Sequence, residues 1–159
     1  MTTNDVATLH PQELNISRLV EASPELLFRG WTEPALLMQW FTPAPWKTIG
    51  CEIDLHPGGR FDTLMQSPEG QEFWHRGVFL EIVPNQKIVS TDALVSGWIP
   101  SAKPFAVLTV TFDKEGTRTR YTGRASHWTE ADRDSHASMG FYEGWHKALD
   151  QLLDLVRIL

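Results

Sequence analysis

The feature that most constrains this chain is a change of hydrophobic period. Between Trp46 and His127 apolar residues recur at every second position in short runs, and beyond Thr129 the spacing becomes three and four. Alternation predicts half-buried strands and the longer period predicts an amphipathic helix. In "KTIGCEIDL" the residues Ile49, Cys51, Ile53 and Leu55 fall on one face. "HPGGRF" reads as a turn, after which Phe61, Thr63 and Met65 begin a strand that ends at Ser67-Pro68-Glu69-Gly70. "EFWHRGVFLEIVP" and "KIVSTDALVSGW" are further strands on either side of a turn at Pro84-Asn85. "FAVLTVTFD" and "TRTRYTGRASH" form a hairpin through Lys114-Glu115-Gly116. Strands joined by such short turns pair antiparallel.

An antiparallel sheet with one apolar face must cover it. The sequence offers one long element for this, a helix predicted from about Ala131 to Arg157, with Thr129 and Asp132 as its capping pair. Leu149, Leu152, Leu153 and Val156 make its buried stripe, and irregularity is expected near Gly140. Before the meander, "ELNISRLV" predicts a first strand, and Ser23-Pro24-Glu25 and Thr32-Glu33-Pro34 each open a short helix. The fold class expected is therefore α+β. A sheet of six to seven strands wraps a long C-terminal helix, in a domain spanning residues 12–159 behind a flexible tail at 1–11.

Charge and composition remove several function classes. The 159 residues carry a net charge of -6 without a lysine or arginine run, so a phosphate-tracking surface is not expected and nucleic acid is not a partner. Cys51 is the sole cysteine, which excludes an intramolecular disulfide. The N-terminus "MTTNDVATLHPQELN" has no apolar signal core, and no stretch reaches the ~20 apolar residues that cross a bilayer. A cytoplasmic protein without a membrane span is the expectation.

The last strand locates a candidate site. Thr119, Tyr121, Gly123, Ala125 and His127 share one parity, while Arg118, Arg120, Thr122 and Arg124 share the other. Gly123 and Ala125 leave the enclosed face short of volume between Tyr121 and His127. A sheet of this kind curls strongly, and one helix does not fill a wide concave surface. Opposite lie Phe141, Tyr142 and Trp145, set among the weak helix formers Gly140 and Gly144. These aromatics fill a core, line a cavity mouth, or do both.

Four separated segments, "ISRLVEASPELLFRGWTEPALLMQWF", "DLHPGGRF", "RGVFLEIVPNQKIVST" and "GFYEGWHKALDQLLDLV", closely resemble the activator of heat-shock protein 90 ATPase homologue family. That family belongs to the START/SRPBCC superfamily, with birch-pollen allergens and aromatase/cyclases. The resemblance runs from about Ile16 to Val156 and implies a helix-grip fold with a cavity between sheet and terminal helix.

The candidate ligand-binding residues are Phe61, His75, Trp98, Tyr121, Gly123, His127, Phe141, Tyr142 and Trp145. Trp98 enters because "SGWIPSAKP" is a loop long enough to form a rim. Three readings follow. The first is binding of a small lipophilic or aromatic molecule in the cavity. The second is a cyclase- or hydrolase-like enzyme on the same cavity, with His127 or His75 near Tyr121 or Glu81 moving protons. The third is a chaperone accessory or stress-response interaction protein. Six histidines without helical i, i+4 spacing argue against a built-in metal, and no cofactor motif is present. Arg18, Arg60 and Arg76 are weighed as carboxylate clamps against ordinary rim ion pairs. Both a monomer and a homodimer are compatible with the sequence.

Overall fold

The computed structural model of the protein describes residues 10–159, so most of the tail expected at 1–11 lies outside the described residues. The first strand is β1 (Glu13–Val20), followed by α1 (Pro24–Thr32) and α2 (Pro34–Leu37). The meander comprises β2 (Lys47–Ile53), β3 (Arg60–Gln66), β4 (Glu72–Val83), β5 (Lys87–Thr91), β8 (Ala106–Glu115) and β9 (Arg118–His127). A small two-stranded ribbon, β6 (Leu94–Val95) with β7 (Ile99–Pro100), interrupts it, and α3 (Glu130–Ser138) and α4 (Phe141–Val156) close the chain. Seven strands form one antiparallel sheet in the order β1-β9-β8-β5-β4-β3-β2. The two edges are thus consecutive in sequence, and α1 and α2 carry the chain from one to the other. The fold is the α+β helix-grip arrangement that the sequence predicts.

The caps explain where the helices begin. Ser23 accepts a hydrogen bond from the Leu26 N–H at 3.2 Å, and Pro24 occupies the first turn, where a missing N–H costs nothing. Thr129 accepts likewise from the Asp132 N–H at 3.0 Å. On β9 the predicted parity holds residue by residue, with Thr119, Tyr121, Gly123, Ala125 and His127 all buried. The α4 stripe of Leu149, Leu152, Leu153 and Val156 is buried against this face together with Ile16, Leu27, Phe28, Phe79 and Phe112.

Three local expectations are corrected. The terminal helix is two helices, because Gly140 adopts φ 96°, a left-handed angle that ends α3 and turns the chain into α4. The run Lys87–Trp98 is a strand only to Thr91, after which the short ribbon begins. Ile49 and Leu55 do not share a buried face with Cys51 and Ile53. A bulge between Thr48 and Gly50 shifts the register, Thr48 is buried instead, and Ile49 and Leu55 are exposed.

Candidate functional site

Between the concave sheet face and the helices lies a cleft of about 600 Å³. Strand alternation sets its floor. On β3, Phe61, Thr63 and Met65 face it, and their neighbours His75 and Gly77 on β4 join them, Thr63 pairing with His75 and Phe61 with Gly77. Ser90, Leu108 and Tyr121 continue the floor across β5, β8 and β9. Trp31, Trp40 and Phe41 close one wall, while Phe141, Gly144, Trp145 and Ala148 of α4 form the opposite one. The exposed members of the lining, Trp46, His75 and Met139, mark its opening.

The aromatic walls are held by edge contacts and by hydrogen bonds from their indole N–H groups. The Trp31 ring lies 5.1 Å from Trp40 and 5.5 Å from Phe41, and Phe61 stacks on Phe79 at 4.8 Å. Trp31 Nε1 donates to the Tyr121 hydroxyl at 3.0 Å, and Trp40 Nε1 donates to the Gly30 carbonyl at 2.9 Å. Both indole donors are satisfied in a water-poor setting, where an unpaired one would be costly. Burial raises the Tyr121 pKa, so the phenol stays neutral.

A polar corner interrupts this apolar lining. The His127 backbone N–H and ring Nδ1 both meet the Gln12 carbonyl, at 3.0 and 2.8 Å, and His127 Nε2 lies 2.8 Å from His136 Nδ1. His136 is enclosed by Phe105 and Phe141, with ring centroids 4.9 and 5.1 Å away. Burial, and secondarily His127, lower its pKa to about 4, so it is uncharged at neutral pH. The lining also carries Thr42, His75, Ser90, Thr91 and Asp92, and beside them Thr63. It is buried, and its Oγ1 has no hydrogen-bond partner among the described residues.

Of the candidates read from the sequence, Phe61, His75, Tyr121, Phe141 and Trp145 line the cleft together. His127 stands behind the lining and reaches it through His136. Gly123 lies beneath Trp145, where a Cβ would come within 2.4 Å of the ring, so its role is to let that indole approach the sheet. Tyr142 is exposed and outside the lining. Trp98 is no rim of the cleft: its ring covers Gly58 in the "HPGGRF" turn, where a Cβ would lie 2.3 Å from Cζ2.

The proposed meeting of His75 and His127 does not occur, because β5 and β8 separate their strands. Glu81 is exposed and paired with Lys87 at 2.9 Å, away from both histidines. Arg18, Arg60 and Arg76 are engaged by Asp150, Glu52 and Asp62 at 2.9, 2.8 and 3.1 Å, outside the lining. Among the described residues no cluster of metal-ligating side chains occurs, and no helix is long and apolar enough to cross a membrane.

Two lining residues carry chemistry that sequence reasoning passed over. Thr63 was legible as a polar residue on the parity of Phe61 and Met65. His136 had a subtler signal: a helix capped at Thr129, directly after a strand ending at His127, turns back over that strand end within two helical turns.

Comparison with known proteins agrees with the fold. The family described as "Activator of Hsp90 ATPase homolog 1-like protein" matches residues 21–157. A crystal structure from Nitrosomonas europaea is 38% identical, covers 94% of this chain and 96% of its own, and superposes with a TM-score of 0.90. Structures from Rhodobacter sphaeroides, at 21% identity and TM-score 0.82, and from Arthrobacter aurescens, at 20% and 0.80, share the fold. The former covers 94% of this chain and 95% of its own, the latter 94% and 88%. No curated protein matches the chain.

Proposed function

We propose that this chain, which belongs to the family of activator of Hsp90 ATPase homolog 1-like proteins, holds a small apolar or aromatic ligand in the cleft between its sheet and α4. The observation that carries this reading is the cleft itself, about 600 Å³ in volume and walled by Trp31, Trp40, Phe41, Phe61, Phe141 and Trp145. That volume falls in the range of small-molecule sites, which are concave, mostly apolar and provided with few polar groups. Rigid rings packed edge to face keep such a space open, since each has other rings to contact.

The test is a thermal-shift screen against lipids, aromatic acids and polyketide-like compounds. A ligand present at a hundred times its dissociation constant raises stability by about 2.7 kcal/mol, or roughly 5–10 °C here. Ala148→Phe places a ring in the cleft from the α4 side and abolishes the shift, while circular dichroism shows the fold retained. If no compound moves a cooperative melt, the reading fails. A shift that survives Ala148→Phe places binding elsewhere.

A further inference from the structure

The hydrogen bonds around the polar corner fix what the cleft offers a ligand. A carbonyl oxygen only accepts, so the 2.8 Å contact with Gln12 requires a proton on His127 Nδ1. When that ring carries one proton its Nε2 is a bare lone pair, and the 2.8 Å contact with His136 then requires His136 Nδ1 to donate. The proton of neutral His136 is thereby committed, and its Nε2 is left as an acceptor on a side chain that lines the cleft. To turn that nitrogen into a donor, the pair must take up an additional proton, which burial resists. The backbone of Gln12 thus sets, through two rings, the polarity of the cleft. Thr63 Oγ1, which has no partner among the described residues, is sealed beneath the lining and offers a ligand nothing.

We propose that the cleft selects an uncharged hydroxy-aromatic ligand, whose phenolic hydroxyl donates to His136 Nε2. This rests on the cleft being a ligand site. A phenol has a pKa of about 10 and keeps its proton at neutral pH, so it presents a donor to the bare nitrogen. A carboxylate presents only lone pairs to that nitrogen, and the acid already in the lining, Asp92, which accepts from the Phe105 and Ala106 N–H groups, is no counter-ion for it. The same corner therefore accepts the phenol and rejects the acid. The interaction is a hydrogen bond between neutral groups, with no proton transferred.

The experiment is isothermal titration calorimetry at about pH 7 with para-hydroxybenzophenone, para-methoxybenzophenone and para-carboxybenzophenone, which share one skeleton. The hydroxy compound is expected to bind roughly ten-fold more tightly than the methoxy one, as for one buried hydrogen bond lost, and the carboxylate most weakly. His136→Phe brings the hydroxy and methoxy affinities together while the methoxy compound still binds. Should His136→Phe fail to fold, the wild-type ranking of the three compounds decides alone. Equal hydroxy and methoxy affinities, or a preferred carboxylate, overturn the selection. So does a series that fails to bind a protein whose thermal-shift screen is positive. A negative screen instead overturns the underlying cleft reading.

Discussion

Gln12, His127 and His136 show how much a single backbone carbonyl can decide. One carbonyl and two rings in line leave one arrangement of protons when both rings are neutral, and only the last nitrogen is without a partner among the described residues. The same enclosure makes His136 a stability sensor. Its pKa is lowered from 6.5 to about 4, first by burial and then by His127, the titratable group in contact with it. The unfolded chain therefore takes up a proton near pH 6.5 while the native protein does not. Stability from this group is complete above about pH 6.5 and is lost as pH falls toward about 4. Urea midpoints measured at about pH 7 and about pH 5 should fall at the lower value, and His136→Phe should flatten the fall. An equal fall in wild type and variant would assign it to other groups.

At the scale of elements, two glycines of similar sequence context separate sharply. Gly140 sits at φ 96° between α3 and α4, an angle that side chains other than glycine rarely adopt, and it defines the corner. Gly144 lies inside α4 in helical backbone, and a Cβ there would meet only Pro43 Cγ at 3.8 Å, an ordinary contact. Gly144→Ala should thus raise stability by roughly 0.5–1 kcal/mol through helix propensity, read as a higher urea midpoint with unchanged slope. A lower midpoint would mean that the cleft wall needs the space. Sequence alone placed both glycines among the aromatics, but periodicity does not distinguish a tolerated glycine from one in a left-handed turn. The strand parity of β9 was fully legible, because one clean alternation determines a face. The face of β2 was not, because the bulge at Ile49 is a property of its pairing with β3. Contacts such as His127 with His136 were harder still, since they depend on the angle at which a capped helix leaves a strand.

For the whole molecule, the cleft is a place where packing has been left incomplete, and Thr63 shows what that costs. Its hydroxyl is buried without a partner among the described residues, a condition worth about 1–3 kcal/mol of destabilisation. Valine has nearly the shape of threonine and no group to desolvate. Thr63→Val should therefore raise the melting temperature of the ligand-free protein, by roughly 2–4 °C for each ~1 kcal/mol recovered in a domain of this size. Residues that serve the fold alone behave otherwise. Leu152, fully buried where α4 packs against Gly30 of α1, should lose about 2–5 kcal/mol of stability on truncation to alanine and gain nothing in exchange. Differential scanning calorimetry of the ligand-free Thr63→Val protein reads the contrast directly. A lowered melting temperature would mean that the hydroxyl has a partner in solution.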